Sequence, residues 1–165
     1  MTAAAQLSFI HRFERGSDLN TPPLLLLHGT GGDENDLIGL GRMVAPGASL
    51  LSPRGKVMEG GMPRFFRRLA EGVFDEEDVN RRAHELADFV DEARAAYGLP
   101  APIALGFSNG ANIAAATLLL RPDALAGAAL IRAMVPLSQP PAADLTGRPV
   151  LILSGSMDPM VQADN

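Results

Sequence analysis

The chain has 165 residues, 47% of them hydrophobic, no cysteine and a formal charge of −5. This suits a globular unit with a sizeable buried core, and it excludes a disulfide framework, a thiolate nucleophile and a Cys-based metal site. The 14 cationic residues are all arginine except Lys56 and are scattered, so no basic footprint for nucleic acid or an anionic membrane surface is present.

The start, MTAAAQLSFIHRFER, has neither a basic opening nor a long apolar stretch. No apolar run approaches the roughly 18 residues that span a bilayer. The expectation is a cytoplasmic protein without signal peptide or membrane span, acting on a small molecule. Residues 7 to 13 read as an edge strand. Residues 24 to 29, LLLLHG, form a short continuous apolar run bounded by Pro23 and Gly29, as in a strand covered on both faces. A helix over 34 to 44 opened by Asp33 and a strand over 48 to 53 follow. Residues 54 to 75 are rich in Gly and charge and read as an excursion.

The clearest helix spans 76 to 97. Its apolar residues Val79, Ala83, Leu86, Val90, Ala93 and Tyr97 alternate in steps of four and three, Asp75 can cap its start and Gly98 can end it. Then come a strand at 101 to 107, a helix at 109 to 120 halted by Pro122, and strands near 126 to 134 and 149 to 154. This alternation predicts an α/β domain over 1 to 165, with a mainly parallel sheet and helices on both faces. Ligands of such sheets sit at the carboxyl ends of the strands. Three candidates occupy such ends: His28-Gly29-Thr30-Gly31-Gly32, Ser108 and Asp158.

Ser108 lies in GFSNG between a predicted strand and a predicted helix. Gly106 and Gly110 permit a sharp turn that lifts the hydroxyl above the sheet edge, and the following helix points its N-terminus, with the Asn109 amide, at the site. A serine in an ordinary tight turn is the competing reading. The glycine-rich loop after residue 27 offers a second donor, the Thr30 amide, for an oxyanion. A phosphate cradle there fails on spacing, since Glu34 stands where G-x-G-x-x-G needs glycine and no G-K-[ST] follows. His28, at a strand end, is expected to order this loop. Asp158, held by Pro159 after the last strand, fits the acid that follows such a serine in chain order, although a helix-capping Asp is the plain alternative.

Together LLLLHGTGGDENDL, GFSNGAN and SGSMDPM resemble the phospholipase/carboxylesterase group of α/β-hydrolases, which includes acyl-protein thioesterases, and within it bacterial carboxylesterases associated with hydroquinone resistance. The stretch RFFRRLAEGVFDEEDV is similar to that bacterial subgroup, and the likeness runs from about Leu24 to Met160. It implies an α/β-hydrolase fold and a cofactor-free serine esterase acting on small carboxylic esters or thioesters. Ser108 would be the nucleophile, Asp158 the triad acid, and the amides of Thr30 and Asn109 the oxyanion hole. The family's histidine follows the acid, whereas His11, His28 and His84 all precede Ser108. A histidine beyond Asn165 is therefore expected, with residues 1 to 165 C-terminally incomplete and nearly inactive alone.

Phe65, Phe66, Met134 and Met160 are candidate linings of an acyl or aromatic pocket, with one of the two phenylalanines equally readable as core. Arg64, Arg67 and Arg68 could attract an anionic substrate, but a solvated charged face is the simpler reading. The acidic run at 33 to 36 lacks calcium-loop spacing, and no metal is expected. A homodimer is compatible with the sequence. The alternative to an esterase is an α/β-hydrolase-fold binding or scaffold protein that kept the serine turn and lost catalysis.

Overall fold

The computed structural model describes residues 6–155. In chain order the elements are β1 (His11–Glu14), β2 (Leu24–Leu27), α1 (Ile38–Val44), β3 (Leu50–Pro53), β4 (Val57–Glu59), β5 (Met62–Arg64), β6 (Arg68–Ala70) and β7 (Val73–Phe74). There follow α2 (Glu76–Tyr97), β8 (Ile103–Phe107), α3 (Asn109–Leu120), β9 (Gly127–Ile131) and β10 (Val150–Leu153). Six strands form one sheet in the order β1-β3-β2-β8-β9-β10. Among the described residues, β1 alone in this sheet runs antiparallel to its neighbour.

The run LLLL is buried throughout because both faces of β2 are covered. Leu25 and Leu27 join the core beneath α2 and α3, whereas Leu24 and Leu26 join a smaller cluster with Ile38 of α1. Side chains alternate across a strand, so a central strand needs apolar residues at every position. The long helix forms as its periodicity predicts. Val79, Ala83, Leu86, Val90 and Ala93 are buried, the Asp75 carboxylate accepts from the Asp78 amide, and Gly98 ends the helix in the left-handed conformation at φ 67°.

Three boundaries differ from the sequence reading. The first strand covers only His11–Glu14, because Phe9 turns into the core against Phe89, ring centroids 4.9 Å apart. α1 begins at Ile38 and has no side-chain cap. Asp33 instead accepts from the Asn35 amide in a local turn, and Glu34 forms a two-pronged pair with Arg54, both bonds 2.7 Å. β9 stops at Ile131, where Arg132 takes φ 57°.

The stretch 54 to 75 is built from two small hairpins, β4-β5 and β6-β7. Gly60 and Gly61, at φ 55° and 82°, make the first hairpin turn. Between the hairpins the chain dips inward and delivers Phe65 and Phe66 to the core.

Candidate active site

The carboxyl ends of β2, β8 and β9 meet around Ser108. Its backbone sits at φ 54°, ψ −114°, a conformation rarely adopted by a residue with a side chain. Two bonds hold it there: the Ser108 amide donates to Ile131 O of β9 at 2.8 Å, and its carbonyl accepts from the Asn112 amide in the first turn of α3 at 3.0 Å. The flanking glycines are required by close approach. A Cβ on Gly110 would lie 1.9 Å from Leu27 O, and one on Gly106 would lie 2.6 Å from Gly110 O. Helix and strands are thereby packed backbone to backbone directly under the serine.

The loop after β2 is the second wall. Gly31 takes φ 85°, its amide donates to Pro63 O at 3.1 Å, and the Gly32 amide donates to Gly29 O at 3.0 Å. Among the described residues the Thr30 amide donates to no protein group. Asn109 is the first residue of α3, so its amide also has no acceptor inside the helix. Of the two amides named from the sequence, that of Thr30 lies in the loop after β2 and that of Asn109 in the first turn of α3, directly after Ser108.

His28 is buried, and its tautomer follows from its partners. Nδ1 donates to Gly29 O at 2.7 Å and Nε2 accepts from the Gly55 amide at 3.0 Å. Only the neutral ring with a proton on Nδ1 satisfies both. Burial depresses its pKa, opposed by the bond to Gly29 O and by Asp36, Asp33 and Glu34. This is the loop-ordering role expected of it. His11 bonds Phe9 O and the Tyr97 hydroxyl, and His84 lies on α2.

The pocket expectations require correction. Phe65 and Phe66 are 2% and 0% exposed and belong to the main core, so neither presents surface to a ligand. The Phe65 ring packs on His28 and the Phe66 ring stands edge-on to Phe74, which accounts for their burial. Met134 is partly exposed, with its amide donating to Asn112 Oδ1 at 2.7 Å. Met62 was not singled out in the sequence, yet its sulfur lies 3.4 Å from where a Cβ on Gly31 would stand, above the loop. Asp158 and Met160 lie outside the described residues.

The expected solvated face fails at Arg64, whose side chain is 3% exposed. Nη1 donates to Thr30 Oγ1 at 2.5 Å, and Nε faces both Phe66 O at 3.1 Å and Glu59 Oε2 at 3.2 Å. Burial, with Arg68 nearby, pushes its pKa down to about 10, so it stays cationic at neutral pH. Nothing in the run MPRFFRR marks this arginine as interior. Arg67 and Arg68 do reach Asp75 and Glu59 near the surface. Among the described residues no group of three or more His, Cys, Asp or Glu is placed to hold a metal ion, and no helix is long and apolar enough to cross a membrane.

Residues 10–164 match the phospholipase/carboxylesterase family model. The chain belongs to that family. It is 51% identical over 152 residues to the putative hydrolase MhqD of Bacillus subtilis, covering 91% of this chain and 75% of the relative. Among solved structures it is similar to a Bacillus cereus carboxylesterase, with TM-score 0.93 and 50% identity over 95% of this chain and 75% of that one. A Mesorhizobium loti carboxylesterase gives TM-score 0.87 at 34% identity, over 95% and 76%. The sheet order and the crossover helices are those of the α/β-hydrolase fold, and the protein is a hydrolase of carboxylesterase type.

Proposed function

We propose that this hydrolase cleaves small carboxylic esters, and in the same way thioesters, through an acyl-enzyme on Ser108. The observation that carries the reading is the positive-φ backbone of Ser108 at the head of α3, with the Asn109 amide in the first turn of that helix and the Thr30 amide unpaired among the described residues. A hydroxyl raised on such a turn meets a carbonyl carbon whose oxygen points between the Thr30 and Asn109 amides. As the tetrahedral intermediate forms, charge moves onto that oxygen, where fixed N–H dipoles and the N-terminus of α3 stabilise it.

Deprotonation of Ser108 requires a base. His11 and His28 have both ring nitrogens engaged, and no histidine of the sequence follows Asp158. In such hydrolases the triad histidine follows the acid in chain order, and the base is assigned to that histidine. Asp158 would hold that ring in its reactive tautomer and stabilise the imidazolium, which then returns the proton to the leaving alcohol or thiol. Water deacylates the enzyme by the reverse proton route. Met134 and Met62 are the assigned apolar walls beside the acyl group.

The test is made on the purified enzyme. A fluorophosphonate probe should label Ser108, and short-chain aryl esters should turn over. Failure of both would overturn the esterase reading in favour of a binding protein on the same fold.

A further inference from the structure

Three consecutive residues, Pro63, Arg64 and Phe65, lie between the two loops that converge on Ser108. Pro63 O accepts from the Gly31 amide, Arg64 Nη1 donates to Thr30 Oγ1, and the Phe65 amide donates to Asn109 Oδ1 at 2.7 Å. One side of this bridge thus grips the loop after β2, and the other grips the first residue of α3. Thr30 itself stands between Gly29 and Gly31, residues that place little steric restraint on the backbone. Its amide cannot be aimed by local geometry alone, so tertiary bonds must aim it.

We propose that Arg64 is a positioning residue for the oxyanion hole: by holding the Thr30 hydroxyl while Phe65 holds Asn109, it sets the separation and direction of the Thr30 and Asn109 amides. This rests on the assignment of those amides to the tetrahedral oxygen. The guanidinium is suited to the task. Nε is fixed against Phe66 O and Glu59, which leaves Nη1 at a defined height over Thr30. Asn109 is 2% exposed, and its side chain is anchored through Oδ1. Donors aimed at developing charge act over tenths of an ångström, and a misplacement of about 1 Å can cost on the order of 10²-fold in rate.

A double-mutant cycle on the full-length enzyme tests this. Thr30→Val keeps the shape of the side chain and removes the hydroxyl; Arg64→Met removes the donor. Each should lower kcat by about 10- to 100-fold, with KM within about twofold. The double variant should be no worse than the poorer single, because both break one bond. Affinity for an arylboronic acid, whose Ser108 adduct places an oxygen in the hole, should fall by the same factor as kcat/KM. Thr30→Ser restores the hydroxyl and should recover kcat to within about threefold of wild type.

If Arg64→Met fails to fold, the Thr30→Val and Thr30→Ser pair still decides, since neither touches the core. Singles that retain kcat within twofold, or losses that multiply in the double variant, overturn the positioning role while wild-type labelling of Ser108 leaves the esterase reading intact. Absence of labelling in the wild type overturns that reading itself.

Discussion

On the β2 side of Ser108 the loop 28 to 32 is tied to Gly55, Pro63 and Arg64, and the strand beneath it lies between β3 and β8 with both faces buried. On the far side, β10 pairs with β9 only, among the described residues, and all four of its residues are exposed, from 40% at Val150 to 63% at Ile152. Both strands are apolar, and both end near groups assigned to the reaction. They differ in support. The donor side is held in place by the described residues themselves, through packing and cross-loop bonds, whereas the strand leading to Asp158 rests on one neighbour. Among the described residues, then, β2 is covered on both faces and along both edges, whereas β10 is paired along one edge.

The largest expected effect tests whether the two sides serve one centre. Ser108→Ala should reduce ester turnover by the full-length enzyme by about 10⁴-fold or more, roughly 5 kcal/mol of transition-state stabilisation, and should abolish fluorophosphonate labelling. Retained turnover would show that the donor loops face some other group.

Next in size is Gly110→Ala. A methyl placed 1.9 Å from Leu27 O forces α3 away from β2, and overpacking against backbone should cost about 3 kcal/mol or more, read as a lower urea midpoint. A neutral result would mean that the helix can slide, and the donor side would lose its claim to rigidity.

A matched pair of truncations compares the strands directly. Leu26→Ala in β2 removes a fully buried side chain and should cost about 3 kcal/mol. Ile152→Ala in β10 should cost about 0.5 kcal/mol or less, as for surface positions. Equal losses in urea unfolding would show that β10 is covered as well as β2 in the full-length protein.

The smallest effect is a pH slope from His28. Its folded pKa is depressed, chiefly by burial, below the ordinary value of 6.5, so the unfolded chain takes up a proton first as pH falls. The contribution of His28 is fully present above about pH 6.5 and is lost as pH drops toward the lower folded value. Protonation also removes the acceptor for the Gly55 amide. Chemical denaturation followed from pH 8 to pH 5 should show this loss, and His28→Gln should flatten the slope.

Much of the scaffold was legible in the residues. The apolar run 24 to 27, the four-three periodicity of 76 to 97 and the caps at Asp75 and Gly98 are local signals, and local hydrogen bonding and burial decide them. Short elements were less legible, because long-range competitors claim their ends: Asp33 and Glu34 are used by a turn and by Arg54, so α1 starts late.

The sequence by itself determined the turn at Ser108, since Gly106 and Gly110 mark where helix and strand backbones must touch, and it determined the family through motifs placed at strand ends. Only the tertiary structure decided the fate of MPRFFRR. In sequence it reads as a charged, solvated stretch beside a pair of pocket phenylalanines. In the fold, Phe65 and Phe66 go to the core, and Arg64 is buried with its guanidinium on Thr30. The physical reason is distance along the chain: Arg64 and Thr30 are 34 residues apart, and Phe65 and Asn109 are 44 apart. No local pattern encodes such bonds, which exist only once the sheet has brought the two loops together.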